Sequence, residues 1–182
     1  GPPQKPGVAY ADLFTGLYAV IAIQSALAAR ARSGEGAFID MSLFDTQVAV
    51  LANQSMNFLA SGRAPTRMGN AHPNLVPYQT FRVADGEVVI AVGSDAQFRS
   101  LCVVLGLHDL AVAPEAATNA VRVEHRSALV SRLQAPLAAW RRDALLDALL
   151  AVGVPAGPIN SVAEVFADAQ VAARRMVYRV HS

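Results

Sequence analysis

Residues 9–45 read AYADLFTGLYAVIAIQSALAARARSGEGAFIDMSLFD, and this stretch decides the fold class. Ala9 to Ser33 is rich in alanine and leucine, the residues that cost least in a helix. Arg30 and Arg32 stand where cations suit a helix C-terminus. Gly34-Glu35-Gly36 then ends the helix, because glycine accepts the left-handed backbone such ends adopt. Phe38 to Leu43 alternates apolar and polar residues as a strand does. Asp45 to Ala60 returns to helical spacing. Helix, turn, strand and helix in that order point to a layered α/β domain.

The following residues change character. Gly62, Pro65, Gly69, Pro73 and Pro77 punctuate Ser61 to Pro77, with Arg63 and Arg67 between them. We read 61–77 as a linker and the main domain boundary, between residues 1–60, which belong to an α/β domain, and an α+β domain of residues 78–182. In the second domain two strands are expected, Tyr78–Val83 and Glu87–Val92, joined at Asp85-Gly86 as a hairpin. Ser94 or Asp95 caps a helix that runs to about Leu105. Further helices are expected at Ala120–Leu133, Arg141–Val152 and Ser161–Ala169. The prolines of Val154–Ile159 favour an edge segment, and Met176–Val180 reads as a terminal strand.

Composition excludes several classes of function. Hydrophobic residues make up 53% and charged residues 16% of the 182, enough for a packed core. A net charge of +1 without clustered cations gives no surface for nucleic acid. The apolar stretch Leu13–Ala29 falls short of the roughly 20 residues a membrane span needs. It contains Thr15, Gln24 and Ser25 and is closed by Asp12 and Arg30, so a buried core helix is expected. Cys102 is the only cysteine, set in an apolar run, and reads as a buried small hydrophobe in a cytoplasmic protein. His72, His108, His125 and His181 lack metal-ligand spacing, so no metal site is expected. The opening Gly1-Pro2-Pro3 has neither an initiator Met nor the pattern of a signal peptide, and reads as part of a longer chain.

Asp12 begins the apolar helix. Aspartate there caps a helix or favours the positive end of its dipole, and from pattern alone that structural role is the reading to prefer over a functional carboxylate.

Several blocks together resemble one family. Ala11-Asp12-Leu13-Phe14-Thr15-Gly16-Leu17-Tyr18-Ala19, Ser33-Gly34-Glu35-Gly36 and Ile39-Asp40-Met41-Ser42-Leu43-Phe44-Asp45 are similar to the active-site region of family III (CaiB/BaiF-type) CoA-transferases. Gly69-Asn70-Ala71-His72-Pro73, Val76-Pro77-Tyr78-Gln79-Thr80-Phe81, Val92-Gly93-Ser94-Asp95-Ala96-Gln97-Phe98 and Gly153-Val154-Pro155-Ala156-Gly157-Pro158 follow in order. The resemblance implies the end of a Rossmann-like large domain and then a small domain, in an interlocked homodimer of chains about twice this length.

It also implies covalent catalysis by Asp12, which takes the acyl group and then CoA. The substrates are an acyl-CoA thioester and a carboxylic acid, with no permanently bound cofactor. Leu43 corresponds to a position near the pantetheine arm, or else packs in the core. Gly69, Asn70 and His72 line the acyl pocket or form a rigid turn. Some relatives carry a glycine-rich lid where this chain has His72-Pro73-Asn74-Leu75-Val76-Pro77-Tyr78. The same fold hosts α-methylacyl-CoA racemases, which place a glutamate where Asp95 stands and a glycine cluster after the aspartate, where Leu13-Phe14-Thr15 stand. A third reading is an inactive packing or dimerisation piece. Arg63 and Arg67 read as solvated linker cations, with a contact to a dicarboxylate as the alternative.

Overall fold

The computed structural model describes residues 3–180, which divide between Arg67 and Met68 into two units. The division lies inside the 61–77 stretch. The second half of that stretch packs with the second unit, where Val76 is fully buried.

In the first unit, α1 spans Tyr10–Ser33. It stops at Gly34, whose φ of 78° is left-handed and whose N–H donates to the Arg30 carbonyl at 2.8 Å. The expected strand at Phe38–Leu43 does not form. Residues 35–42 are irregular, because no strand among the described residues of this unit offers them a pairing edge and an unpaired strand has nothing to satisfy its backbone. Ser42 turns its hydroxyl to accept from the N–H groups of Phe44 (3.1 Å) and Asp45 (3.3 Å), so helix α2 starts at Leu43 and ends at Ala49. The expected helix over Asp45–Ala60 is two helices. The chain breaks at Val50–Ala52, where Ala52 has φ 48°, and α3 runs Asn53–Ser61.

Helix α1 was expected to be buried, and within the described residues it is not. It packs against α2, but no residue of α1 is buried, and Leu13, Leu17, Val20, Ile21 and Leu27 are about half exposed or more. A few short helices cannot cover the circumference of a 24-residue helix. By length and hydropathy α1 also meets the criterion for crossing a membrane. A helix that is apolar on all sides needs a cover, protein or lipid.

The second unit holds the core. Strands β1 (Tyr78–Val83) and β2 (Gly86–Ala91) form an antiparallel hairpin with Tyr78 opposite Ala91 and Val83 opposite Gly86, the connection the alternation predicts. Helices α4 (Asp95–Val104), α5 (His108–Ala111), α6 (Asn119–Glu124), α7 (Arg126–Leu137) and α8 (Arg142–Ala151) follow. Strand β3 (Ala156–Pro158) then returns to pair antiparallel with β2, giving the order β1-β2-β3. Phe81, Val83, Val88 and Ile90 alternate inward from the sheet. Leu129, Leu133 and Leu137 meet them at four-residue spacing from α7, and Leu145 and Leu149 do so from α8.

Ser94 caps α4 by accepting from the Gln97 N–H at 3.2 Å, one of the two expected caps. Short helix α9 (Val162–Ala167) opens with a Ser161–Glu164 capping box and leads to α10 (Ala169–Ala173). Two expectations fail here, and one helix was not expected. Ala120–Leu133 is two helices that meet at His125, α5 has no counterpart in the reading, and Met176–Val180 has no strand partner and is not a strand.

Cys102 is fully buried on α4, and burial pushes its thiol up to about 11. At pH 8 about one molecule in 10^3 therefore carries the thiolate. We expect iodoacetamide, followed peptide by peptide in a mass spectrometer, to label Cys102 at least about 100-fold faster in urea than in the native full-length protein. Equal rates would show that α4 does not shield the thiol.

Candidate active site

Each predicted site residue has a definite environment, in one unit or the other. Asp12 is the third residue of α1. The N-cap position belongs to Ala9, which has no side chain to cap with, so Asp12 is not the capping residue. Its side chain is exposed, in a cleft of about 320 Å³ lined by Lys5, Pro6, Val8, Tyr10 and Gln47 among others. Among the described residues the carboxylate has no hydrogen-bond or ion-pair partner. Thr15, one turn on, spends its hydroxyl on the Ala11 carbonyl at 2.6 Å. The helix therefore presents one uncommitted carboxylate at its positive end, where the dipole favours negative charge. Leu43 opens α2, is 52% exposed, and lies one turn before Gln47 on the same helix face.

In the second unit Gly69 and Asn70 line a cleft of about 450 Å³ together with Gln79, Thr80, Arg126 and Ser127. Gly69 has φ 63°, where a side chain would strain the backbone. Asn70 is committed to the sheet. Its Oδ1 accepts from the Thr80 N–H at 3.0 Å, and its amide nitrogen donates to the Thr80 hydroxyl. His72 is not among the residues lining this cleft. Its N–H donates to the Tyr78 carbonyl at 2.8 Å, and its ring stacks on Tyr78 with centroids 5.1 Å apart. His72 Nδ1 accepts from the Asn74 N–H at 3.0 Å, which places the proton of the neutral ring on Nε2.

Sequence reasoning missed the side chains that hold this region. Asn119 Oδ1 accepts from the Val76 N–H at 3.1 Å, and its Nδ2 donates to the Asn74 carbonyl at 2.7 Å. Arg122, 1% exposed, donates from Nε to the Val76 carbonyl at 2.8 Å and from Nη1 to that of Ala116 at 3.0 Å. It also pairs with Asp95 at 2.8 Å and lies over the Phe98 ring at 4.5 Å. Arg126 donates from Nη2 to the Pro73 carbonyl at 2.8 Å. The sequence carried no local signal for them: Asn119, Arg122 and Arg126 stand among Thr118, Glu124, His125 and Ser127, and such a stretch reads as a solvated helix face.

Arg63 and Arg67 are exposed. Among the described residues no group of three or more His, Cys, Asp or Glu side chains could hold a metal ion, and His181 lies outside them.

The sequence profile described as CoA-transferase family III matches residues 1–182. The chain belongs to this family. It is 53% identical over 174 residues to a succinate–glutarate CoA-transferase of Agrobacterium fabrum, covering 96% of this chain and 44% of that protein. It is 42% identical to a succinyl-CoA:glutarate CoA-transferase of Mus musculus, covering 94% and 39%. A crystal structure of a CaiB/BaiF family protein from Brucella suis is 58% identical, with a TM-score of 0.73 and coverage of 97% and 47%. A Mycobacterium tuberculosis structure, 24% identical, shares the fold at a TM-score of 0.87 over 100% of this chain and 47% of its own. The chain thus spans less than half the length of these relatives. The fold expected of a family III CoA-transferase is the fold observed, apart from the strands corrected above.

Proposed function

We propose that the full-length protein moves CoA from an acyl-CoA thioester to a free carboxylic acid, with Asp12 as the nucleophile. The observation that carries this reading is the uncommitted carboxylate at the first turn of α1, open to a cleft. A carboxylate is a weak nucleophile in water, and holding it against a thioester carbonyl is what makes it competent. Asp12 attacks the thioester carbon, and the tetrahedral oxyanion collapses with loss of CoA thiolate to give an aspartyl–acyl anhydride. The thiolate attacks the aspartyl carbonyl, releases the donor acid and leaves a β-aspartyl–CoA thioester. The acceptor carboxylate repeats the two steps in reverse and restores Asp12. Electrons and protons balance without a redox partner.

The substrate class follows the named relatives, which act on succinate, glutarate and, at 39% identity, oxalate. Short dicarboxylic acids are therefore the proposed acceptors. We place residues 1–60 in a larger α/β domain whose remainder, or the second chain of an interlocked homodimer, covers the apolar α1. On this reading α1 is a core helix of a cytoplasmic enzyme and not a membrane span. Leu43, Gly69, Asn70 and His72 are proposed to flank the substrate. Asp95, the position of the racemase acid, is engaged by the buried Arg122, which favours transfer over acid–base epimerisation.

The test is hydroxylamine trapping. The full-length protein, incubated with succinyl-CoA and quenched with hydroxylamine, is expected to carry a hydroxamate on Asp12 that depends on the acyl-CoA. No adduct, with deuterium exchange at the substrate α-carbon instead, would make the racemase the better reading.

A further inference from the structure

Residues His72 to Pro77 have no helix and no strand, yet the segment is tied down along its length. The sheet holds its two ends, through His72 N–H to the Tyr78 carbonyl and Val92 N–H to the Pro77 carbonyl, and helices α6 and α7 hold its middle. The carbonyls of Pro73, Asn74 and Val76 each accept a hydrogen bond from a side chain of α6 or α7. The donors are Arg126, Asn119 and Arg122 respectively. The Val76 N–H is held as well, by Asn119. Residues 43 to 53 positions apart in sequence make these bonds. A loop held at the carbonyls of Pro73, Asn74, Val76 and Pro77 and at the N–H groups of His72, Asn74 and Val76 has lost most of the freedom that a surface connection of this length ordinarily keeps.

The three anchors differ in what else they do. Arg122 is built into the core and binds Ala116, Asp95 and Phe98 besides the loop. Arg126 is not. Its Nη1 is buried without a partner, and desolvation pulls its pKa below the ordinary arginine value. A desolvated cation with an unsatisfied nitrogen, paired only to a neutral carbonyl, contributes little net stability. What it does accomplish is local. It pins the carbonyl next to His72 and forms part of the cleft that Gly69 and Asn70 line.

We propose that Asn119 and Arg126 are positioning residues that hold the 72–77 loop in one shape, so that the Gly69–Asn70 wall of the cleft beside it meets the substrate as a fixed surface rather than a closing lid. This rests on the CoA-transfer reading, in which Gly69, Asn70 and His72 flank the substrate. Neither residue touches the reacting atoms. Their loss acts by letting the wall move, which weakens binding of the acid and leaves the chemistry at Asp12 intact.

The experiment uses Arg126→Met, Arg126→Lys and Asn119→Leu in the full-length protein. Amide exchange of the Asn74 and Val76 N–H groups is read beside steady-state kinetics with succinyl-CoA and a dicarboxylic acid. We expect Arg126→Met and Asn119→Leu to speed exchange of those amides about 10-fold or more. They should raise KM for the acid about 10-fold and change kcat less than about 3-fold. Arg126→Lys, which keeps one donor for the Pro73 carbonyl, should recover much of the loss. Unchanged exchange in both variants overturns the clamp. Faster exchange with unchanged KM overturns the positioning role. Wild-type protein that moves CoA to no carboxylic acid overturns the functional reading, and the role with it, whereas the exchange data then still report whether the clamp exists.

Discussion

Replacing Asp12 by Ala in the full-length protein is expected to lower kcat for CoA transfer by about 10^4-fold or more, equivalent to about 5.4 kcal/mol of transition-state stabilisation. Among the described residues no other carboxylate lines the Asp12 cleft. Asp12→Asn should lose as much, since the amide keeps the shape and lacks the nucleophilic oxygen. Asp12→Glu moves the carboxylate by about one methylene and should cost about 10^2-fold, the usual penalty for misplacing a reacting group by about 1 Å. Stability should hardly respond. The side chain is exposed and uncommitted, and only its favourable place at the helix N-terminus is lost, about 0.3–1 kcal/mol. Thermal melts alongside the kinetics separate the two effects. An Asp12→Ala protein that keeps more than about a tenth of wild-type kcat would remove Asp12 from the mechanism.

The second large effect is on folding. Arg122→Met should destabilise the protein by about 3 kcal/mol, the lower end of the range for breaking a buried ion pair. The lower end applies because the Asp95 side chain is 41% exposed and rehydrates once its partner is gone. The carbonyls of Val76 and Ala116 lose their donor at the same time. The expected fall in Tm is about 3–4 °C for a full-length protein of about 400 residues, read by thermal denaturation, with urea denaturation as a second readout of the loss. Arg122→Lys should recover little, because one ammonium cannot reach three acceptors in different directions as the guanidinium fork does. Combining Arg122→Met with Asp95→Leu should be less harmful than the sum of the two. A Tm within about 2 °C of wild type for Arg122→Met would mean that the carbonyls find other donors.

These two residues mark what can be read from sequence and what cannot. Asp12 is visible because its signal is local, an acid opening a long apolar run, with a family-like segment around it. The hairpin β1–β2 was legible for the same reason: alternation fixes which side chains face inward, and Asp85-Gly86 locates the turn to within one residue, the loop itself being Ala84-Asp85. The glycine stop of α1 and the Ser94 cap of α4 are local chemistry too. Arg122 carried no such signal. An arginine in a short polar helix reads as surface, and its burial depends on Val76, Asp95 and Phe98 converging from other parts of the chain.

The failed expectations have the same origin. Phe38–Leu43 and Met176–Val180 have strand-like patterns, yet a strand is completed by an edge supplied from elsewhere, and neither segment has one here. The single helix expected at 45–60 breaks at Ala52, whose positive φ nothing in its own side chain announces. Helix α1 shows the limit most plainly. Its sequence requires a cover on every face, and the described residues do not supply one.

By itself, then, the sequence determined the family, the hairpin with its inward faces, the glycine stop of α1 and the Ser94 cap of α4. All of these follow from neighbours within a few residues or from motif order along the chain. The tertiary structure alone decided that Arg122 is buried, that Asn119 and Arg126 hold the loop after His72, and that two strand-like segments are not strands. Those outcomes depend on hydrogen bonds between groups far apart in sequence, and no local pattern records which distant partner will satisfy a given carbonyl.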